Sequence, residues 1–147
     1  TTDWDLWTMN RDGTEQAVLL DTAYEDRMPR YSNDGSLIVF TRNTAGTGDI
    51  LTADAEGGSV SNLTADLPNS AFSGRYSWDN RQICFDYYVG VTNHDIYVMN
   101  ADGTGKLAVA TLRRRIADRA RHRALGQQRD GTVRVWRKCG GNGVRGQ

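Results

Sequence analysis

Few side chains in this sequence could carry chemistry, and their spacing tests them one by one. Asn10-x-Asp12-Gly13 and Asn100-x-Asp102-Gly103 invite comparison with calcium loops. An EF-hand loop needs an oxygen ligand at its first position and a Glu at its twelfth. Here the first positions hold Thr8 and Val98, and the twelfth hold Leu19 and Val109. Both segments therefore read as turns, and neither a metal nor any other cofactor is expected. Two histidines occur, His94 beside Asp95 and His122 among arginines. No G-x-S-x-G, H-E-x-x-H or S-x-x-K pattern accompanies them. Nucleophilic catalysis needs a nucleophile, a base and an orienting group brought together, and no such set is marked. No catalytic residue is expected, and the chain reads as a non-enzyme. Cys84, between Ile83 and Phe85, reads as a small buried apolar side chain. With Cys139 it forms neither a disulfide framework nor a C-x-x-C metal pair. Asn62-Leu63-Thr64 is formally a glycosylation sequon, but it falls on a strand.

The elements that would position these residues come from an internal repeat. Asp5-Leu-Trp-Thr-Met-Asn-Arg-Asp-Gly13 returns as Asp49-Ile-Leu-Thr-Ala-Asp-Ala-Glu-Gly57 and as Asp95-Ile-Tyr-Val-Met-Asn-Ala-Asp-Gly103, at spacings of 44 and 46 residues. Tyr31-Ser-Asn-Asp-Gly-Ser-Leu-Ile-Val-Phe40 returns 45 residues later as Tyr76-Ser-Trp-Asp-Asn-Arg-Gln-Ile-Cys-Phe85. Two different motifs thus share one period. Leu37 to Phe40 and Asp95 to Met99 are short apolar runs of the kind that form strands buried on both faces. Ser59 to Thr64 alternates polar and apolar, as a half-exposed strand does. Asp12-Gly13, Asp34-Gly35, Gly57 and Asp102-Gly103 mark turns, because Gly accepts the positive φ that tight turns demand. Both Gly57 and Gly103 should join third and fourth strands, with Gly103 the better candidate for positive φ. Four short strands per period of about 45 residues describe a β-propeller blade.

The pattern Tyr-Ser-x-Asp-Gly-x-x-Ile-x-Phe, followed by Asp-Ile-Tyr-Val-Met-Asn-Ala-Asp-Gly, resembles the blade repeat of TolB-type propellers over about residues 3–112. Pro29, Ser32, Asp34 and Gly35 match the family's Pro-x-Trp-Ser-Pro-Asp-Gly. Tyr31 and Asn33 replace its Trp and second Pro, while Trp78 and Asn80 loosen the second copy. The expected fold is all-β, a partial propeller of about two and a half four-stranded blades. It divides into a half blade at 3–20 and blades at about 28–64 and 72–111. The resemblance implies a protein-binding scaffold, with a periplasmic or secreted parent. An alternative is the propeller gate of a prolyl-oligopeptidase-like peptidase whose catalytic domain lies outside this chain. Propellers bind through loops on their faces, here Arg42 to Gly48, Ala65 to Arg75 and Val89 to His94. Phe72, Arg75, Tyr87 and Tyr88 are the expected contact anchors, since aromatics and Arg carry interface energy; they could equally pack between blades.

Charge separates the repeat from the C-terminal segment. The formal net charge is zero, yet residues 1–112 carry seven Lys and Arg against sixteen Asp and Glu, while 113–147 carry eleven against two. The Arg-rich segment breaks the repeat. It reads as a basic C-terminal tail, helical over Arg113 to Gly126, or as a GC-rich gene translated out of frame. Trp136 is its lone aromatic, so no specific nucleic-acid site is expected. No apolar run exceeds four residues, which excludes a transmembrane helix of about 20, and no leader sequence is visible. Even four blades need about 180 residues, so the chain reads as a fragment of a longer propeller. Its open flanks should leave Ile83, Phe85, Ile96 and Val98 partly uncovered and promote self-association.

Overall fold

The computed structural model describes residues 4–90 and 93–109. Among the described residues, ten strands make three antiparallel sheets. β1 (Leu6–Thr8) and β2 (Ala17–Leu20) form a two-stranded half blade. β3 (Glu25–Tyr31), β4 (Leu37–Thr44), β5 (Thr47–Asp54) and β6 (Ser61–Asn62) form a meander in that order, the first full blade. The second full blade repeats it with β7 (Ala71–Tyr76), β8 (Gln82–Tyr88), β9 (His94–Asn100) and β10 (Leu107–Ala108). The described residues are all-β. The helix expected at 113–126 and the rest of the basic tail lie outside them.

Each repeated motif builds a turn. In the first full blade the Ser32 hydroxyl donates to Asp34 Oδ1 at 2.6 Å, and the Ser36 amide and hydroxyl donate to the same oxygen. Gly35 closes the turn at φ 73°. In the second, Ser77 and Asp79 repeat the arrangement, and Asn80 takes the left-handed residue's place at φ 57°, a conformation that Asn tolerates better than most residues. The turns from third to fourth strand share their glycine, but the middle one uses a different acceptor, Asp54 at the place of Asn10 and Asn100, with Glu56 where the others have Asp12 and Asp102. Asp12 accepts from the Thr14 amide and hydroxyl, Asp102 does so from Thr104, and Asp54 accepts from the Gly58 amide. Gly13, Gly57 and Gly103 lie within 2° of one another, at φ 84°, 86° and 85°.

The blades differ from expectation at their edges. β3 starts at Glu25, near the expected opening at about 28, and a bulge between Arg27 and Arg30 interrupts its pairing. The second blade has the same bulge between Phe72 and Arg75, and Met28 and Ser73 take positive φ there. Outermost strands are shorter than the alternation at 59–64 suggests. Ser59 turns at φ 50°, only Ser61 and Asn62 pair, and Leu63 and Thr64 are drawn into the interior.

The core consists of the two interfaces between sheets. Leu6, Ile38, Phe40, Leu51 and Ala53 fill one, with Leu19 and Leu20 at its margin. Val39, Ile50, Leu63, Ala71, Ile83, Phe85, Tyr87 and Met99 fill the other. Four successive residues of β4, Ile38 to Thr41, are buried, because that strand is covered on both faces. Gly74 allows the second interface to close. A β-carbon there would lie 2.7 Å from Val39 Cγ2 and 3.1 Å from Ile50 Cγ2. The expected exposure of Ile83 and Phe85 is therefore corrected: both face the first full blade and are fully buried. Ile96 points the other way and is exposed, while Val98 beside it is half-buried.

Candidate protein-binding face

Meander topology sends the β4–β5 hairpin, the 63–70 connection and the β8–β9 hairpin to one edge of the stack. They overlap the three segments expected to be long loops, but two of those are corrected: β4 and β5 pair up to Thr44 and Thr47, leaving a two-residue turn, and 71–75 belongs to β7. Hydrogen bonds tie the three connections together. The Gly48 amide donates to Ser70 Oγ at 3.1 Å, and the Tyr88 amide donates to the Ser70 carbonyl at 2.9 Å. The Phe72 ring lies directly against Gly48, where any side chain would collide with it. Phe72 also meets Tyr88 edge to face at 5.5 Å, and Tyr88 stacks on His94 at 5.5 Å and 19°. Tyr88 and His94 are exposed and Phe72 is half-buried, giving an aromatic row fixed at one end and open at the other.

The adjacent part of this edge is ionic. Arg42 Nε and Nη2 donate to the two carboxylate oxygens of Asp26, each at 2.8 Å, and Thr22 Oγ1 donates to Asp26 Oδ2 at 2.9 Å. The Asp26 amide donates to the Trp4 carbonyl at 2.7 Å, linking this cluster to the half blade. Asp26 is buried, and its bonds hold the Arg42 guanidinium above its ordinary pKa. Tyr24 and Phe40 flank the cation at 4.9 and 5.7 Å, a cation–π arrangement that fixes its plane. Asn43 Nδ2 donates to Glu25 Oε2 at 2.8 Å beside it. No sequence motif marks Asp26 or Arg42.

The four expected anchors do not lie together. Phe72 and Tyr88 are in ring contact on this face. Arg75 is exposed, but it pairs with Cys84 further along the sheet. Tyr87 takes the second of its two expected places, packing between the blades. It shares the inward phase of β8 with Ile83 and Phe85, is buried, and packs edge to face on Tyr97 at 4.8 Å. His94, isolated from any catalytic pattern in the sequence, joins the row instead. The sequon is also occupied internally: Asn62 Nδ2 and Thr64 Oγ1 donate to the two oxygens of Asp49, and Thr64 is fully buried. Among the described residues, no group of three or more His, Cys, Asp or Glu is placed to hold a metal ion. Nor is any helix there long and apolar enough to cross a membrane.

Stacked four-stranded antiparallel sheets with matching turns define a partial β-propeller. Its blades are TolB-like over about 71% of the chain. A structure described as TolB from Agrobacterium tumefaciens superposes with a TM-score of 0.63 at 22% identity, covering 71% of this chain and 40% of that one. TolB from Acinetobacter baumannii gives 0.58 at 19% identity, with 71% and 26% covered. The chain thus spans less than half the length of either structure. No protein-family profile matches the sequence, and no curated protein matches it.

Proposed function

We propose that the chain is a non-enzymatic scaffold segment that binds a protein partner through the face built by the β4–β5 hairpin, the 65–70 connection with the start of β7, and residues 88–90 and 93–94. The observation that carries this reading is the Phe72–Tyr88–His94 row, anchored against Gly48 and open to solvent at Tyr88 and His94. Aromatic side chains held rigidly by packing lose little entropy on binding, which is why they dominate interface energetics. The neighbouring Arg42 and Glu25–Asn43 groups supply a polar rim. The TolB-like fold supports a protein–protein role for this surface, with a periplasmic or secreted setting for the parent protein. Binding at this face leaves the flanks of the stack free for self-association.

Selecting peptides from a random phage-displayed library on the folded 147-residue chain tests the proposal. Enriched peptides should bind Tyr88→Ala about tenfold more weakly or worse, while Trp78→Ala, at the opposite edge, binds them unchanged. Peptides indifferent to Tyr88→Ala would refute this assignment of the face.

A further inference from the structure

The repeat allows each residue to be compared with its own equivalents under different cover. Leu6, Ile50 and Ile96 occupy the same position in three successive units, 44 and 46 residues apart. Leu6 is 3% exposed and Ile50 is 0% exposed, because a further sheet lies over each; Ile96 is 48% exposed. The opposite face of the same strand behaves alike. Leu51 and Ala53 are each 2% exposed beneath the half blade, whereas their equivalents Trp7 and Met9 are 61% and 64% exposed. The turns differ in the same way. The Gly57 turn rests on the Leu19 carbonyl, and the Gly103 turn rests on Leu63, the equivalent residue of the next unit. Around Gly13 a β-carbon would meet nothing within 4 Å.

The described stack therefore carries one interface twice, nearly position for position, and then shows its two halves separately. Trp7, Met9 and the Gly13 turn form the half that elsewhere rests on a preceding sheet. Ile96, Val98 and β10 form the half that elsewhere receives the next one. We propose that these flanks bind each other between molecules: a second copy of this chain docks head to tail, its Trp7 and Met9 over Ile96 of the first. Its Gly13 turn then rests on Val109, the equivalent of Leu19 and Leu63, just beyond β10. The contact continues an interface already present twice within the chain, so its spacing and strand direction are set in advance. It uses different surfaces on the two copies, and a heterologous contact of that kind extends beyond a dimer until a ring closes or a filament grows. Trp7 is the natural anchor, since Trp is enriched among residues that dominate interface energy. This inference is independent of the candidate face, which uses neither flank.

Sedimentation velocity on the full chain from about 1 to about 100 μM, the weak end of interface affinities, tests it. The wild-type weight-average mass should rise with concentration beyond two chains. Trp7→Glu and Ile96→Glu should each weaken association about thirtyfold or more and sediment as monomers. An equimolar mixture of the two should form a species of two chains and stop there. One variant keeps a sound Ile96 flank and the other a sound Trp7 flank, so a single interface can form. Far-UV dichroism verifies the β-sheet of each variant, and Met9→Glu replaces Trp7→Glu if that variant loses it. A monomeric wild type, a mixture that stays monomeric, or single variants that associate like the wild type would each overturn the proposal.

Discussion

Gly13, Gly57 and Gly103 share one backbone conformation in three settings, which separates conformational strain from packing. At φ near +85° any L-residue with a β-carbon is strained by about 1–2 kcal/mol. Gly13 has open space around it, so Gly13→Val should cost only that amount. Gly103 lies 3.2 Å from the Leu63 carbonyl oxygen and 3.3 Å from Leu63 Cβ, measured from an added β-carbon, so Gly103→Val should cost somewhat more. At Gly57 the β-carbon would collide with the Leu19 carbonyl, which is backbone and cannot swing aside. Denaturant midpoints should therefore fall in the order Gly57→Val, Gly103→Val, Gly13→Val, with Gly57→Val lowest; equal midpoints would mean that the turns do not dock on the preceding sheet. The carboxylates in the turns make a second prediction. Donors from Ser32 and Ser36 hold Asp34 down from 3.8 to about 2, and Thr14, Ser77 and Thr104 lower Asp12, Asp79 and Asp102 in the same way. A depressed carboxylate stabilises the fold fully above its unfolded pKa and loses that contribution as pH falls through the folded value. Stability at constant ionic strength should thus decline between about pH 4 and about pH 2, and Asp34→Asn should flatten part of that decline. An unchanged slope in Asp34→Asn would show that other groups control acid unfolding.

At the scale of the strand, one rung of the ladder is built in two chemistries. Asp26 pairs with Arg42 between β3 and β4, and the equivalent pair between β7 and β8 is Ala71 with Tyr87. Asp26 is almost wholly buried and its bonds to Arg42 are bidentate. Removing one partner of such a pair strands the other charge, at a cost of about 3–5 kcal/mol. Arg42→Ala should show that loss in urea unfolding, whereas the double variant Asp26→Ala/Arg42→Tyr, which copies the apolar rung, should lose far less. Equal losses would mean that the ion pair is not what the rung depends on. This rung also marks the limit of what the sequence reveals. Blade order, the four-strand meander and the Asp-Gly turns are legible because two motifs recur with one period and Gly has a single physical use at each turn. The phase of β8 is harder to read. Ile83, Phe85 and Tyr87 alternate with Cys84, Asp86 and Tyr88, so two adjacent tyrosines have opposite fates that composition cannot separate. The bulges contain Pro29 and Gly74, but their positive φ falls on the neighbours Met28 and Ser73, residue types that do not announce a left-handed backbone. Of the candidate face, the three connections and the pair Phe72 and Tyr88 are legible, but 42–44, 47–48 and 71–75 are strand rather than the expected loop. The Asp26–Arg42 pair is not, since a buried ion pair needs only complementary charges on facing strands and has no characteristic spacing.

For the molecule as a whole, the order of the sheets determines where stability resides. The half blade and the second full blade touch the first full blade through separate clusters, Leu6 to Leu51 in one and Val39 to Met99 in the other. In a stack whose members contact only their neighbours, stability is a sum of unit and interface contributions, and members open from the ends. β4 and β5 lie in the only sheet covered on both faces among the described residues, so their amides should exchange with solvent most slowly. β1 and β2 have a single partner strand each and lean on one interface, so they should exchange first. Gly74 allows the two interfaces to be perturbed separately. Gly74→Ala inserts a methyl against Val39 and Ile50, and overpacking of that kind costs about 1–3 kcal/mol. Because Gly74 lies in the second interface alone, mass-spectrometric hydrogen exchange should show β7, β8 and β9 opening about tenfold faster or more, while β1 and β2 keep their wild-type rates. Uniform acceleration across all three sheets would show that the stack opens as one cooperative body, and the two interfaces would then have to be treated as a single core.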